Sequence, residues 1–217
     1  MNKKYFFGWI VVLFFTACNP PTTERSSALE EEIESRELKK ISDGEIMTAA
    51  AKWGESLAQQ TQQLLGTNLK MALQESGPKG AIKFCNIQAY PLVDSIQQNQ
   101  EIHIRRTSLK IRNQENKPTA LEKRILEAYH YNQENDQPLT GNVQQLEGNY
   151  LLYTKPIVIN SPACLNCHGK VGENVSAETF ALINELYPGD SATGFELGDL
   201  RGMWSIKMAN KEIIKQL

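Results

Sequence analysis

The chain has 217 residues, with 23 basic against 25 acidic side chains and a net charge of −2 at pH 7. That length suits one domain with a sizeable core. The charge balance excludes nucleic acid as an expected partner, since such binding wants a clustered basic face.

Export is written at the N-terminus. Met1-Asn2-Lys3-Lys4 is a short positive region, Tyr5 to Phe15 is apolar, and Phe15-Thr16-Ala17-Cys18 follows. This is the layout of a secretory signal. The apolar run falls short of the roughly 20 residues that a membrane-spanning helix needs. Small residues just before Cys18 resemble a bacterial lipoprotein box, so residues 1–17 are expected to be a signal peptide and Cys18 a lipidated anchor. Ordinary cleavage nearby, or an uncleaved anchor, is the plainer alternative. Residues 18–28, rich in Pro, Ser and Thr, then read as a tether. Loss of Lys3 and Lys4 leaves 21 basic against 25 acidic residues, a net −4 for the mature chain.

From Leu29 the pattern is helical, through Leu29, Ile33, Leu38 and Ile41, and residues 29–44 form a separate N-terminal segment. Ser42-Asp43-Gly44-Glu45 predicts a capped helix start, opening a domain over residues 45–217. A helix from Glu45 to Leu73 carries Ile46, Ala49, Ala50, Trp53, Leu57, Leu64 and Leu65 on one stripe. Gly77-Pro78-Lys79-Gly80 should break it. A further helix, Ala81 to about Ile96, carries Ile82, Cys85, Ala89 and Val93, with Pro91 placed to kink or end it.

The period then changes to two. Ile102-His103-Ile104-Arg105-Arg106 alternates as a half-buried strand, extending toward residue 110. Arg112 to Pro118 reads as a loop and Leu121 to Tyr131 as a helix. Val143–Glu147 and Tyr150–Ile159 form a hairpin around Glu147-Gly148-Asn149. Val175–Leu186 is a helix, and Phe195–Leu197 and Met203–Met208 are final strands joined by residues 198–202. The expected fold class is α+β: an antiparallel sheet with flanking helices behind a long N-terminal helix.

Between the hairpin and the last helix lies Cys164-Leu165-Asn166-Cys167-His168. The C-x-x-C-H spacing is that of c-type haem attachment, two thiols for the vinyl groups and an imidazole for the iron. Export agrees with it, because that attachment takes place outside the cytoplasm. A structural zinc site would want a second ligand pair, and no other C-x-x-C or H-x-x-x-H is present. One haem c per chain, held covalently, is the expected cofactor. His168 supplies one axial ligand; candidates for the other are Cys85, His103, His130, Met47, Met71, Met203 and Met208. His130 sits in a polar helix end and His103 on the polar side of its strand, while methionines usually fill gaps in apolar settings. Cys85, alone on an apolar stripe, is by default a small buried hydrophobe. Arg105, Arg106 and Arg112 are candidates to meet the haem propionates, since guanidinium forks match carboxylates; a solvated basic face is the plainer reading.

Several runs recur together in a known order. They are Gly80-Ala81-Ile82 with Cys85 and Ala89, Ile104-Arg105-Arg106-Thr107-Ser108-Leu109-Lys110 with Arg112-Asn113, Asn116 with Pro118, Pro156-Ile157, and Cys164-Leu165 with Cys167-His168-Gly169. In these the chain resembles the PAS-like monohaem c-type cytochromes of bacteria and cyanobacteria, over about Glu45 to Met208. The resemblance implies a PAS-like antiparallel sheet with a long N-terminal helix, and His/Cys axial ligation by His168 and Cys85. Where the family commonly has Arg-Asn-Pro, this chain has Arg112-Asn113-Gln114. A thiolate ligand pushes electron density onto iron, so a low reduction potential is expected. Two filled axial positions argue against catalysis at iron, and the chain is expected not to be an enzyme.

The leading functional expectation is an envelope-anchored redox or diatomic-gas sensor facing the periplasm or the exterior. The alternative is a single-electron carrier between envelope partners. Many relatives sit ahead of kinases or cyclases, and no such output module is expected here. A redox or signalling protein partner is anticipated, and the long helix offers a surface for a homodimer.

Overall fold

The computed structural model describes residues 41–97 and 100–217. The signal peptide, Cys18, the tether and the helical pattern through Leu29, Ile33 and Leu38 lie outside the described residues.

Ser42 opens the first helix, α1 (Asp43–Ile87), with the expected cap. Its hydroxyl accepts from the Glu45 amide at 3.2 Å, and the Glu45 carboxylate accepts from the Ser42 amide at 2.9 Å. Ala50, Gly54, Leu57, Ala58, Thr61 and Leu65 recur every three or four residues and form its buried face. Gly54 is a steric requirement: a Cβ there would lie 2.3 Å from the Tyr153 ring. The sequence predicts a break at residues 77–80. The helical backbone is interrupted there, at Gly77 (φ 63°, ψ −166°), and two helical legs meet at a kink. Glycine reaches that left-handed conformation without penalty, and Pro78 removes a helix hydrogen bond beside it. The leg beyond the kink runs to Ile87 and buries Ala81 and Ile82.

The expected Ala81–Ile96 helix is therefore divided. Its first part belongs to α1, and the rest is α2 (Ala89–Gln97), with Pro91 in the first turn, where a missing amide hydrogen leaves no bond unmade. Strand β1 (Ile102–Thr107) follows, then a 3₁₀ turn (Gln114–Asn116) and helix α3 (Ala120–Glu134), capped by Thr119 and Glu122. Strands β2 (Asn142–Leu146) and β3 (Tyr150–Val158) make the predicted hairpin; Gly148 and Asn149 take positive φ in its turn. Helix α4 (Pro162–His168) carries the C-x-x-C-H motif. It is followed by α5 (Ala177–Leu186), strand β4 (Leu200–Ala209) and a final short helix, α6 (Asn210–Ile214).

The sheet is antiparallel in the order β1-β4-β3-β2, with Ile206 paired to both Ile104 and Tyr153. Side chains alternate between its faces. One face buries Leu151, Tyr153, Trp204, Ile206 and Met208 against α1 and α2. The other buries Leu152, Leu200 and Met203 against Ile125, Leu126 and Tyr129 of α3. The α+β class, the antiparallel sheet and the long N-terminal helix are as expected.

Two strand expectations are corrected. β1 stops at Thr107 rather than near residue 110, and Phe195–Leu197 is not a strand. The amides of Gly194 and Phe195 donate instead to the carbonyls of Gly169 and His168, both at 2.9 Å. That segment satisfies the open end of α4, whose last carbonyls have no partner within so short a helix.

Candidate functional site

A cavity of about 580 Å³ opens between α1, the β1–β4–β3 end of the sheet and α4. It has the size of a small-molecule or cofactor site, roughly 300–1,000 Å³. Cys85, Cys164, Cys167 and His168 all line it. The four residues read from the sequence are thus brought together, although Cys85 stands some eighty positions from the others in the chain.

Local structure explains the α4 wall. Ser161 caps the helix by accepting from the Ala163 amide, and Pro162 supplies a pre-set φ at its first position. Three residues apart on one helix, Cys164 and Cys167 share a face. Gly169 ends the helix at a place where a Cβ would meet Asn174 at 2.6 Å and the Leu165 carbonyl at 2.7 Å. The motif's carbonyls are then tied down one by one. Cys167 O accepts from Arg112 Nη2 at 2.6 Å, and the next two carbonyls accept from residues 194 and 195 as described above.

His168 is held by its ring as well as its backbone. Its Nδ1 lies 2.8 Å from the Ala192 carbonyl and 3.3 Å from Arg201 Nε. One ring nitrogen cannot donate to the first and accept from the second. The shorter contact, to a group that only accepts, makes Nδ1 the protonated nitrogen and leaves the Nε2 lone pair free. A carbonyl on the far ring nitrogen is the usual support of a metal-ligating histidine. Burial first, then the charges of Arg201, Arg112 and Arg106, hold the imidazole well below its ordinary pKa. A neutral ring is the form that ligates.

The Ala192 carbonyl is itself positioned. Arg112 bonds it at 3.1 Å and grips Asp190 through Nε–Oδ1 at 3.1 Å and Nη2–Oδ2 at 3.3 Å. Asp190 Oδ1 in turn accepts from the Ala192 amide at 2.9 Å. The Asp190 side chain is fully buried and that of Arg112 is 13% exposed. Arg112 therefore braces α4 from behind, and its fork is occupied.

Across the cavity, Cys85 sits half-buried on the second leg of α1, and burial pushes its thiol pKa up. Among the described residues its sulfur has no hydrogen-bond partner. Tyr187, buried nearby, is pushed up to about 12 by burial and by the proximity of Cys85.

The other candidates for the second axial ligand fall away from the site. His103 is exposed on β1 and His130 half-buried on α3, while Met203 and Met208 are buried in the sheet core. Met47 and Met71 are 36% and 46% exposed on α1, not in the apolar settings expected of them. Of the three arginines, Arg105 turns to the α3 side, where it meets Glu122 at 3.3 Å and the Lys117 carbonyl at 2.8 Å. Arg106 lies over the Trp204 ring at 5.6 Å, on the cavity side. Sequence reasoning missed Arg201, Asp190, Ala192 and Tyr187. Arg201 in particular lies in a stretch that reads as a loop between two strands, and no local pattern marks it.

The donor set suits a haem: two thiols on one helical face, an imidazole with Nε2 free, and a third thiol facing the same space. Comparison with known proteins points the same way. A family model described as Tll0287-like matches residues 26–209. Among solved structures, the chain is similar to that of the cyanobacterial haem protein Tll0287, with 27% sequence identity and a TM-score of 0.50, over 76% of this chain and 93% of that chain. No curated protein matches.

Proposed function

The chain belongs to the Tll0287-like family, and on that premise we propose that it is an envelope-anchored c-type haem protein that senses redox state or a diatomic gas. The observation that carries this reading is the meeting of Cys164, Cys167, His168 and Cys85 on one cavity wall system, with His168 Nδ1 bound to a carbonyl. Cys164 and Cys167 would hold the group covalently, each S–H adding across one vinyl C=C with nothing leaving. His168 Nε2 and the Cys85 sulfur are the groups that would hold the iron. The bound group supplies one-electron exchange at iron, biased to low potential by the thiolate.

Sensing is favoured over electron carriage by the unequal hold on the two ligands. His168 is fixed through Ala192, Asp190 and Arg112. Cys85 is on a helix leg that begins at the Gly77 kink, and its sulfur carries no hydrogen bond among the described residues. A thiol so placed can leave its position without breaking a network. Residues 1–18 support export and lipid anchoring through Cys18. Among the described residues, no helix is long and apolar enough to cross a membrane.

The decisive experiment is maturation of the full chain in cells carrying a cytochrome c assembly apparatus. Intact mass and pyridine haemochrome spectra should show one covalent haem. Carbon monoxide uptake after reduction supports sensing; a fast reversible couple with no uptake identifies an electron carrier instead. Absence of covalent haem ends the proposal.

A further inference from the structure

A β-bulge interrupts β4 beside the cavity. Ile157 pairs with Gly202 and Val158 with Leu200, so Arg201 is an extra, unpaired residue. Such bulges re-aim a side chain out of the regular alternation. Here the result is that Arg201 lines the cavity next to His168, together with Gly202 on the following position. A Cβ on Gly202 would lie 2.4 Å from the Thr107 carbonyl, so the close approach of β1 and β4 that holds this bulge also requires glycine.

Arg201 is under-served by the protein. With Nδ1 of His168 protonated, Arg201 Nε faces another N–H. Its remaining partners are the Lys110 carbonyl at 3.0 Å and the face of Phe195 at 5.4 Å. A guanidinium has five N–H donors. Among the described residues, no carboxylate lies within ion-pair distance of Arg201 or of Arg106. Asp190, which sits close by, is gripped by Arg112. Holding several like charges around a partly dry space is unfavourable unless an opposite charge enters it.

We propose that Arg201 and Arg106 form the dicarboxylate subsite of this cavity, and that the pair takes the two propionates of the bound haem. The assignment rests on the haem reading above and corrects two of the arginines named from the sequence. Arg105 is committed to Glu122 on the other face of the sheet, and Arg112 to Asp190 behind α4. Among the described arginines that line the cavity, Arg106 and Arg201 are the two without a carboxylate partner.

The test uses the holoprotein and its reduction potential at fixed pH and ionic strength. Reduction adds an electron, so removing a nearby cation favours the oxidised form. R201Q should shift the reduction equilibrium about tenfold toward the oxidised state, about 59 mV for one electron. R106Q should shift it the same way by a smaller factor, and R201K should recover part of the R201Q loss. R124Q, an equal charge change on exposed α3, should leave the potential unmoved. An R201Q potential equal to wild type, with haem attached, overturns the proposal while leaving the haem reading intact. A wild-type potential that moves with added inorganic phosphate at constant ionic strength also overturns it, because the pair would then be taking a free anion. If R201Q does not accumulate, R106Q decides alone, since Arg106 is exposed. Wild-type protein without haem by mass is the separate failure of the functional reading.

Discussion

The two walls that carry the sulfur atoms are built differently. On the α4 wall, the carbonyls of Cys167, His168 and Gly169 all accept from elsewhere in the chain, and the His168 ring is pinned by a residue that a buried ion pair positions. On the α1 wall, Cys85 rides a helix leg beyond a glycine kink, and among the described residues its sulfur has no hydrogen-bond partner. One wall is over-determined and the other compliant. On the ligation proposed above, that asymmetry would start any exchange at the sulfur of Cys85 rather than at the imidazole.

The sharpest way to break this picture is removal of the attachment thiols. Cys164→Ser with Cys167→Ser should abolish covalent haem altogether, read by intact mass; retention of the added mass in the double variant would exclude α4 as the attachment site. Next in size is the brace behind the α4 wall. Asp190→Ala strands the Arg112 charge in a buried place and should cost about 3–5 kcal/mol in denaturant unfolding. A loss under about 1 kcal/mol would show that the wall does not depend on this pair.

The compliant wall should answer differently. Cys85→Ala should change the ferric spectrum and raise the potential while haem stays attached, with a stability cost of about 1 kcal/mol at most. An unchanged ferric spectrum excludes sulfur ligation from this position. The smallest effect is expected at the cap of α4. Ser161→Ala removes one accepted hydrogen bond and should cost about 0.5–1 kcal/mol without moving the potential. A potential shift there would mean that the α4 wall is less rigid than its bonds imply.

Much of this molecule can be read before any coordinates. The Ser42–Glu45 capping box, the Gly148-Asn149 turn and the alternation of β1 are local patterns, set by neighbours within a few positions, and each is present where the spacing places it. The Phe195–Leu197 segment shows where such reading ends. Its apolar residues suggest a strand, but its amides are claimed by the C-terminal carbonyls of α4, partners about 25 positions away. Met47 and Met71 show the same limit from the other side. Their residue type suggests burial, whereas both stand exposed on α1.

The sequence by itself determined the chemistry on offer: C-x-x-C-H on a short helix, a lone Cys85 on an apolar stripe, and a handful of arginines. These follow from residue type and short spacing, which act within one or two turns of chain. Only the tertiary structure decided which arginines face the cavity. Arg105 and Arg106 are adjacent, yet the pleat sends one to Glu122 and the other toward Trp204. Arg201 joins them through a single unpaired residue in β4, an event of strand register that depends on β3 and leaves no mark in the residues around it.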